Sequence, residues 1–333
     1  MKRILVVRCG ALGDLVYATS VIDALKMQFG EDTVVDFVCT PSSGTLFRDD
    51  PRVEKVFPLK HKKIPLLFSK EKKAIVEASK KEPYDILINF EYGKQFCSLL
   101  EHIVAKEKVG ANLTKLKISP NAIHSVDIIK QMYKTVVSQD ILLKSYPRVI
   151  GTANETVRKK YQLPNSFIII SPSNSHQKRN RLNYRAWENE SWKTLIQEVA
   201  KRSNVVLIGG ANEENFFSKL LPYPDGTIDL VGKTSISELI GVIDAADALV
   251  ATDTGTAHLA SALNTDVFAL IGPTPADVTG PYKTPNNNVC IISANLECSP
   301  CYKTEVMKNC KENICMKQIT PQMVLDALYK DCP

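Results

Sequence analysis

The sequence predicts an α/β protein built from two doubly wound halves that face each other across a cleft. Three observations predict it. Short, nearly continuous apolar runs alternate with longer amphipathic stretches, the pattern of parallel sheets covered on both faces. The alternation loosens once, around residues 139–165, and then resumes. Turns rich in glycine, aspartate and threonine directly follow apolar runs, where doubly wound sheets hold their ligands.

A chain of 333 residues suggests two domains, set at 1–150 and 151–333. With 44% apolar and 23% charged residues, the composition is that of a soluble globular protein. No apolar run reaches the roughly 18 residues of a membrane span. Met1-Lys2-Arg3 leads into only a short apolar stretch with no small-residue cleavage site, so it reads as a first strand and a cytoplasmic protein is expected. A net charge of +6 is mild; it suits an anionic ligand or surface, and solubility alone explains it equally well. No nucleic-acid partner is expected. Nine cysteines in a chain this long do not indicate a disulfide scaffold.

In the first half, strands are expected at 3–7, 34–39, 53–59, 85–90 and 108–110, and helices at 15–29, 70–80 and 95–105. Pro147, Gly151 and Pro164 punctuate a polar stretch with a helix near 154–161. Strands are then expected at 166–171, 205–209, 228–231, 248–252, 267–271 and 289–292.

The first chemistry-bearing motif is Gly10-Ala11-Leu12-Gly13-Asp14, after the first strand. Its spacing is not G-x-G-x-x-G, and no acidic residue clearly follows the second strand, so a dinucleotide fingerprint is weakly supported and an NAD-dependent oxidoreductase is disfavoured. Asp14 stands at a helix start, where it fits a helix cap and also a general base at a cleft mouth. The second motif is Asp253-Thr254-Gly255-Thr256-Ala257-His258, which opens a helix after an apolar strand. Amides at such an end suit phosphate; an ordinary capped turn is the plain alternative. Gly272-Pro273-Thr274-Pro275 forms a further turn. The loop from Ser173 and Asn174 through Lys178, Arg179 and Arg181 brings hydroxyl, amide and cations after a strand, a set that could clamp a diphosphate or merely be a solvated charge run.

Together the Gly10–Asp14 motif, the Gly232-Lys233-Thr234-Ser235-Ile236-Ser237-Glu238-Leu239 stretch, the Asp253–His258 motif and the Gly272–Pro275 turn resemble, in order and spacing, the bacterial ADP-heptose:lipopolysaccharide heptosyltransferases, glycosyltransferase family 9. The resemblance implies a GT-B fold of two Rossmann-like domains and an inverting transfer of heptose from ADP-heptose to a lipopolysaccharide inner-core acceptor, with no cofactor required for the chemistry. It implies Asp14 as the catalytic base and a nucleotide sugar in the C-terminal domain. By position Glu214 would meet the ribose, Thr234 would lie beside adenine and Asp253 would contact the sugar. The amides of Gly255 to His258 would hold the diphosphate, with Ser173, Asn174 and a cation opposite. The family places that cation directly before Trp-Pro; this chain has Lys178, then Arg179 and Arg181, with Trp187 and Trp192 further on. Tyr17 replaces a common histidine, which bears on acceptor identity more than on reaction type.

The segment 55–81 holds nine lysines interleaved with Ile64-Pro65-Leu66-Leu67-Phe68. Gly13 with Lys60, Lys62 and Lys63 is expected on the acceptor side. This basic, partly apolar surface suits a phosphorylated, lipid-linked acceptor and peripheral contact with the inner membrane; a solvated helix face fits equally. Cys298, Cys301, Cys310 and Cys315 place four thiols in one short tail. A structural zinc or other metal, two disulfides, or thiols merely near one another are the three readings. Cys9, Cys39, Cys97 and Cys290 are expected as buried apolar residues; Cys332 is unassigned. The rival functions are a related glycosyltransferase using another nucleotide sugar and a non-catalytic nucleotide or glycan-phosphate binder.

Overall fold

The computed structural model describes residues 1–333 except 61, 62, 116, 117, 120, 122, 175–181, 331 and 333. The chain forms two compact units, Met1–Gly151 and Thr152–Pro333.

The first unit holds β1 (Arg3–Val7), β2 (Val34–Cys39), β3 (Lys55–Pro58), β4 (Tyr84–Asn89) and β5 (Ala105–Gly110). They form one sheet in the order β3-β2-β1-β4-β5, every pair parallel. Its helices are α1 (Leu12–Ala18), α2 (Ser20–Phe29), α3 (Lys70–Lys81), α4 (Cys97–His102), α5 (Ser125–Met132) and α6 (Gln139–Lys144). β1 is central: Ile4 registers with Val35 on one side and Ile86 on the other. Its apolar run is fully buried, with Leu5 and Val7 packed among Leu87, Phe96 and Leu99. A strand covered on both faces has no polar alternation to show, and this one reads Ile-Leu-Val-Val.

The helix expected at 15–29 is two helices. Thr19 Oγ1 donates to Val16 O at 2.6 Å and Ser20 Oγ donates to Tyr17 O at 3.0 Å, side-chain bonds that compete with the helical ladder where α1 gives way to α2. α1 also starts earlier, at Leu12 with Ala11 as its N-cap, so Asp14 is the third helical residue and not the cap itself. The helix expected at 95–105 is confined to α4, because β5 already begins at Ala105.

The second unit holds β6 (Ile168–Ser171), β7 (Val205–Leu207), β8 (Ile228–Asp229), β9 (Ala248–Thr252), β10 (Asp266–Leu270) and β11 (Val289–Ile292). These also form one parallel sheet, ordered β11-β10-β9-β6-β7-β8. Its helices are α7 (Asn154–Tyr161), α8 (Asn189–Ala200), α9 (Glu214–Phe217), α10 (Ile236–Asp244), α11 (Gly255–Ser261), α12 (Ala276–Thr279), α13 (Glu305–Asn309), α14 (Ile314–Lys317) and α15 (Pro321–Tyr329). The core includes Trp192 of α8, edge-to-face with Trp187 at 4.8 Å between ring centroids. Trp187 Nε1 donates to Ile319 O at 2.7 Å, which gives the buried indole its partner. Among the described residues no helix is long and apolar enough to cross a membrane.

Candidate functional site

In the first unit the site grows from the carboxyl ends of β1 and β4. Arg8 leaves β1 and its Nη2 donates to Asp14 Oδ1 at 2.8 Å. Asp14 Oδ2 accepts from the amide of Ala11 at 3.1 Å, as a residue at the third position of a helix can. Arg8 Nη1 donates to Phe90 O at 3.2 Å and stands 3.8 Å from Glu91 Oε1. Glu91 Oε1 in turn accepts from the Cys9 amide at 2.7 Å. The guanidinium therefore ties the ends of the two central strands to the first turn of α1. The Asp14 side chain is 43% exposed, and each carboxylate oxygen has more than one lone-pair direction, so the carboxylate can still receive a proton from outside.

Gly10 has a steric reason. A Cβ there would meet Asp14 Cβ at 2.5 Å and Oδ2 at 2.7 Å, closer than real Cβ contacts, so any other residue pushes the carboxylate away. Gly13 is half-buried within α1. Tyr17 is buried, its ring edge-on to His124 at 5.3 Å.

In the second unit the site grows from the end of β9. Asp253 is buried, with Oδ1 3.6 Å from His258 Nε2 and Oδ2 3.4 Å from Arg185 Nε. Arg185 Nη1 also donates to the Asp253 carbonyl at 3.4 Å. Burial by itself raises the Asp253 carboxyl, but the His258 bond and the charge of Arg185 outweigh it and hold the group below the ordinary aspartate range. Thr254 caps α11, its Oγ1 accepting the Thr256 amide at 3.2 Å, and the His258 amide reaches Thr254 O at 3.4 Å. Of the four amides expected to hold a diphosphate, those of Thr256 and His258 thus have partners of their own; Gly255 and Ala257 belong to the same turn. Thr256 Oγ1 bonds Ser171 Oγ at the end of β6 at 3.0 Å.

Ser173 and Asn174 are both buried after β6. Ser173 Oγ donates to Glu213 Oε2 at 2.6 Å, and that oxygen also accepts the Gly210 amide at 2.6 Å. Asn174 Oδ1 accepts from Asn183 Nδ2 at 2.9 Å, which holds the two ends of the basic loop together. Glu214, by contrast, is an exposed first residue of α9. Thr234 is half-buried just before α10, whose N-cap Ser235 and Glu238 form a capping box. Lys178, with Arg179 and Arg181, lies outside the described residues, as does Lys62; Lys60 and Lys63 are exposed. Arg185 and Glu213 carry no sequence signal of their own: Arg185 stands just beyond a run of three cations, and Glu213 adjoins a second glutamate.

The cysteine tail packs at the Gly272-Pro273 turn. The Cys301 amide donates to Pro273 O at 2.9 Å, and a Cβ on Gly272 would meet Cys315 Sγ at 2.8 Å. Burial, and then the neighbouring Cys301, Cys298 and Cys310 thiols, push Cys315 up to about 11. Cys298, Cys301, Cys310 and Cys315 are all free thiols. Among the described residues no group of three or more His, Cys, Asp or Glu side chains is arranged to hold a metal ion. Cys9 and Cys39 are buried, and burial lifts Cys39 to about 12. Cys97 is only half-buried at the start of α4. Cys290, expected as a free apolar residue, is disulfide-bonded to Cys332, a pairing across 42 residues that sequence spacing gives no sign of.

The sequence matches glycosyltransferase family 9 (heptosyltransferase) over residues 135–311, just over half of the chain. It is 22% identical over 286 residues to lipopolysaccharide heptosyltransferase 3 of Escherichia coli, covering 79% of this chain and 81% of the relative. The fold is similar to that of a family 9 glycosyltransferase from Veillonella parvula DSM 2008, with a TM-score of 0.77, 15% identity and coverage of 98% and 96%. It is also similar to E. coli heptosyltransferase WaaC with ADP-2-deoxy-2-fluoro heptose, with a TM-score of 0.70, 18% identity and coverage of 99% of each chain. The two parallel-sheet units are those of a GT-B glycosyltransferase.

Proposed function

Given that the chain belongs to glycosyltransferase family 9, the heptosyltransferases, we propose that it moves heptose from ADP-heptose onto a lipopolysaccharide inner-core acceptor with inversion at the transferred carbon. The observation that carries the reading is Asp14, a half-exposed carboxylate fixed by Arg8 and the Ala11 amide within the strand–Gly10-x-x-Gly13-Asp14–helix motif. Its relatives' names, and the ADP-sugar analogue bound to WaaC, supply the donor and acceptor classes.

In this mechanism Asp14 removes the proton of the acceptor hydroxyl as its oxygen bonds the anomeric carbon and ADP departs. A positioned base contributes roughly 10²–10⁴-fold. The second unit holds the nucleotide: the first turn of α11, with Ser173, Asn174 and a cation, stabilises the leaving diphosphate, where one preorganised donor is worth about 3 kcal/mol. Lys178 is the basic-loop cation for that role, and Arg185 is the cation that adjoins Asp253. Asp253 faces the sugar, Thr234 the adenine, and a glutamate of the 213–214 pair the ribose.

The acceptor is a phosphorylated, lipid-linked glycan approached from the first unit by Gly13, Lys60, Lys62 and Lys63, with the enzyme on the cytoplasmic side of the inner membrane. The transfer itself needs no metal or cofactor. A zinc at Cys298, Cys301, Cys310 and Cys315 would hold the tail and leave the reaction untouched; metal analysis of protein purified in reductant reads it directly.

The test is a donor profile. Incubation with ADP-heptose and a heptose-deficient core acceptor should yield a product heavier by one heptosyl residue and ADP of matching amount. Transfer from another nucleotide sugar in preference would replace the donor, and nucleotide binding without any transfer or hydrolysis would leave a binding protein.

A further inference from the structure

The first unit leaves an apolar turn exposed between β3 and α3. Among the described residues between β3 and α3 lies a 3₁₀ turn, Leu66–Phe68, closed by the Phe68 amide on Pro65 O at 3.0 Å. Leu66 packs inward against the core that contains Leu59 and Ile75. Leu67 and Phe68 do the opposite and are 68% and 74% exposed, with Ile64 beside them at 37%. A chain that only needed a connector here would not leave its two largest apolar side chains in water. Single exposed apolar residues are ordinary, but adjacent ones at the tip of one turn are a patch with a use.

The turn is also held rigidly. Lys72, the buried lysine of α3, sends its ammonium back to Ile64 O and Gln95 O, both at 2.8 Å. Ser69 caps α3 by accepting the Lys72 amide at 3.2 Å. Anchored at both ends, the turn presents Leu67 and Phe68 at little cost in ordering when they are buried. Along the chain the turn is flanked by the exposed lysines Lys60, Lys63, Lys70 and Lys73. The whole 55–81 segment carries nine lysines against two glutamates. Cations round an apolar tip match a surface that is anionic outside and hydrocarbon within.

We propose that Leu67 and Phe68 insert into the headgroup boundary of an anionic membrane while the surrounding lysines, Lys63, Lys70 and Lys73 among them, lie against its phosphates. This rests only on the membrane contact in the reading above, and it is measured without donor or acceptor, so it stands or falls independently of the transfer chemistry.

The experiment is vesicle co-sedimentation of the full-length protein. Phosphatidylethanolamine vesicles containing phosphatidylglycerol are compared with phosphatidylcholine vesicles at low and high salt. The wild type should bind the anionic vesicles and release from them with salt. Leu67→Ser with Phe68→Ser should weaken binding about tenfold or more, and Lys70→Gln with Lys73→Gln by roughly fivefold per lysine. Because Leu67 and Phe68 are exposed, the double variant should keep the wild-type melting temperature. Three results would overturn the proposal: no wild-type binding to anionic vesicles, equal binding by the Leu67/Phe68 variant, or a vesicle-free dimer that this variant dissociates.

Discussion

Arg8 Nη2 and Asp14 Oδ1 stand 2.8 Å apart, joining the end of the central strand to the first turn of the helix it feeds. The same guanidinium reaches Phe90 O and approaches Glu91 at the end of the neighbouring strand. Asp14 is therefore oriented by a side chain that is itself fixed at two strand ends, which sets the direction its carboxylate faces.

Arg8→Gln should lower kcat on the order of 10²-fold, the usual cost of a misplaced catalytic group, with the donor KM unchanged. Arg8→Lys should recover little, because an ammonium lacks the planar fork that spans both strand ends. Steady-state kinetics with varied donor checks both.

Gly10→Ala places a methyl group 2.5 Å from Asp14 Cβ unless α1 shifts. Transfer should fall as it does for Arg8→Gln, while ADP binding, which the proposal assigns to the second unit, should stay as in the wild type. Calorimetry with ADP beside the transfer assay separates the two.

Arg185→Gln removes a cation from the buried Asp253 carboxylate. Leaving a buried charge without any partner costs about 3–5 kcal/mol; Asp253 keeps His258, so the loss should fall below that range. The Asp253 carboxyl is depressed in the folded protein, so its stabilisation is present above the unfolded aspartate value of about 3.9 and is lost as pH falls through the folded one. The variant should lose part of that acid-side slope. Denaturant unfolding from neutral to acid pH measures it.

Much of this was legible in advance. Buried parallel strands show as largely apolar runs, so β1, β2, β9 and β11 lie where the runs are, β2 with one buried acid, Asp36. The Gly10–Asp14 and Asp253–His258 motifs lie, as expected, in turns after β1 and β9. What the sequence could not show depended on particular side-chain bonds, local and distant. Thr19 splits a continuous helical pattern through a bond to Val16 O. α6 was hidden in a polar stretch that read as loosened. Glu213 meets Ser173, 40 residues away, and Arg185 meets Asp253, 68 residues away.

Glu213 and Glu214 give a direct comparison. Glu213→Ala leaves Ser173 Oγ and the Gly210 amide without their shared acceptor, and should cost about 1–3 kcal/mol of stability. Glu214→Ala, on an exposed helix end, should change stability by less than about 0.5 kcal/mol. If Glu214 meets the ribose, its variant still weakens ADP binding; thermal unfolding and ADP titration of both variants assign the two roles.

The disulfide between Cys290 and Cys332 fastens the C-terminal end to β11. By loop entropy, closing 42 residues is worth about 4 kcal/mol. Oxidised protein should melt at a higher temperature than protein in reductant, and Cys332→Ser should remove that difference.

The most direct measurement is Asp14→Asn, which keeps the shape of the side chain and removes its basicity. Transfer from ADP-heptose should fall by roughly 10²–10⁴-fold with ADP affinity unchanged. Near-full turnover by this variant would contradict the account and leave position 14 as a helix-stabilising residue alone.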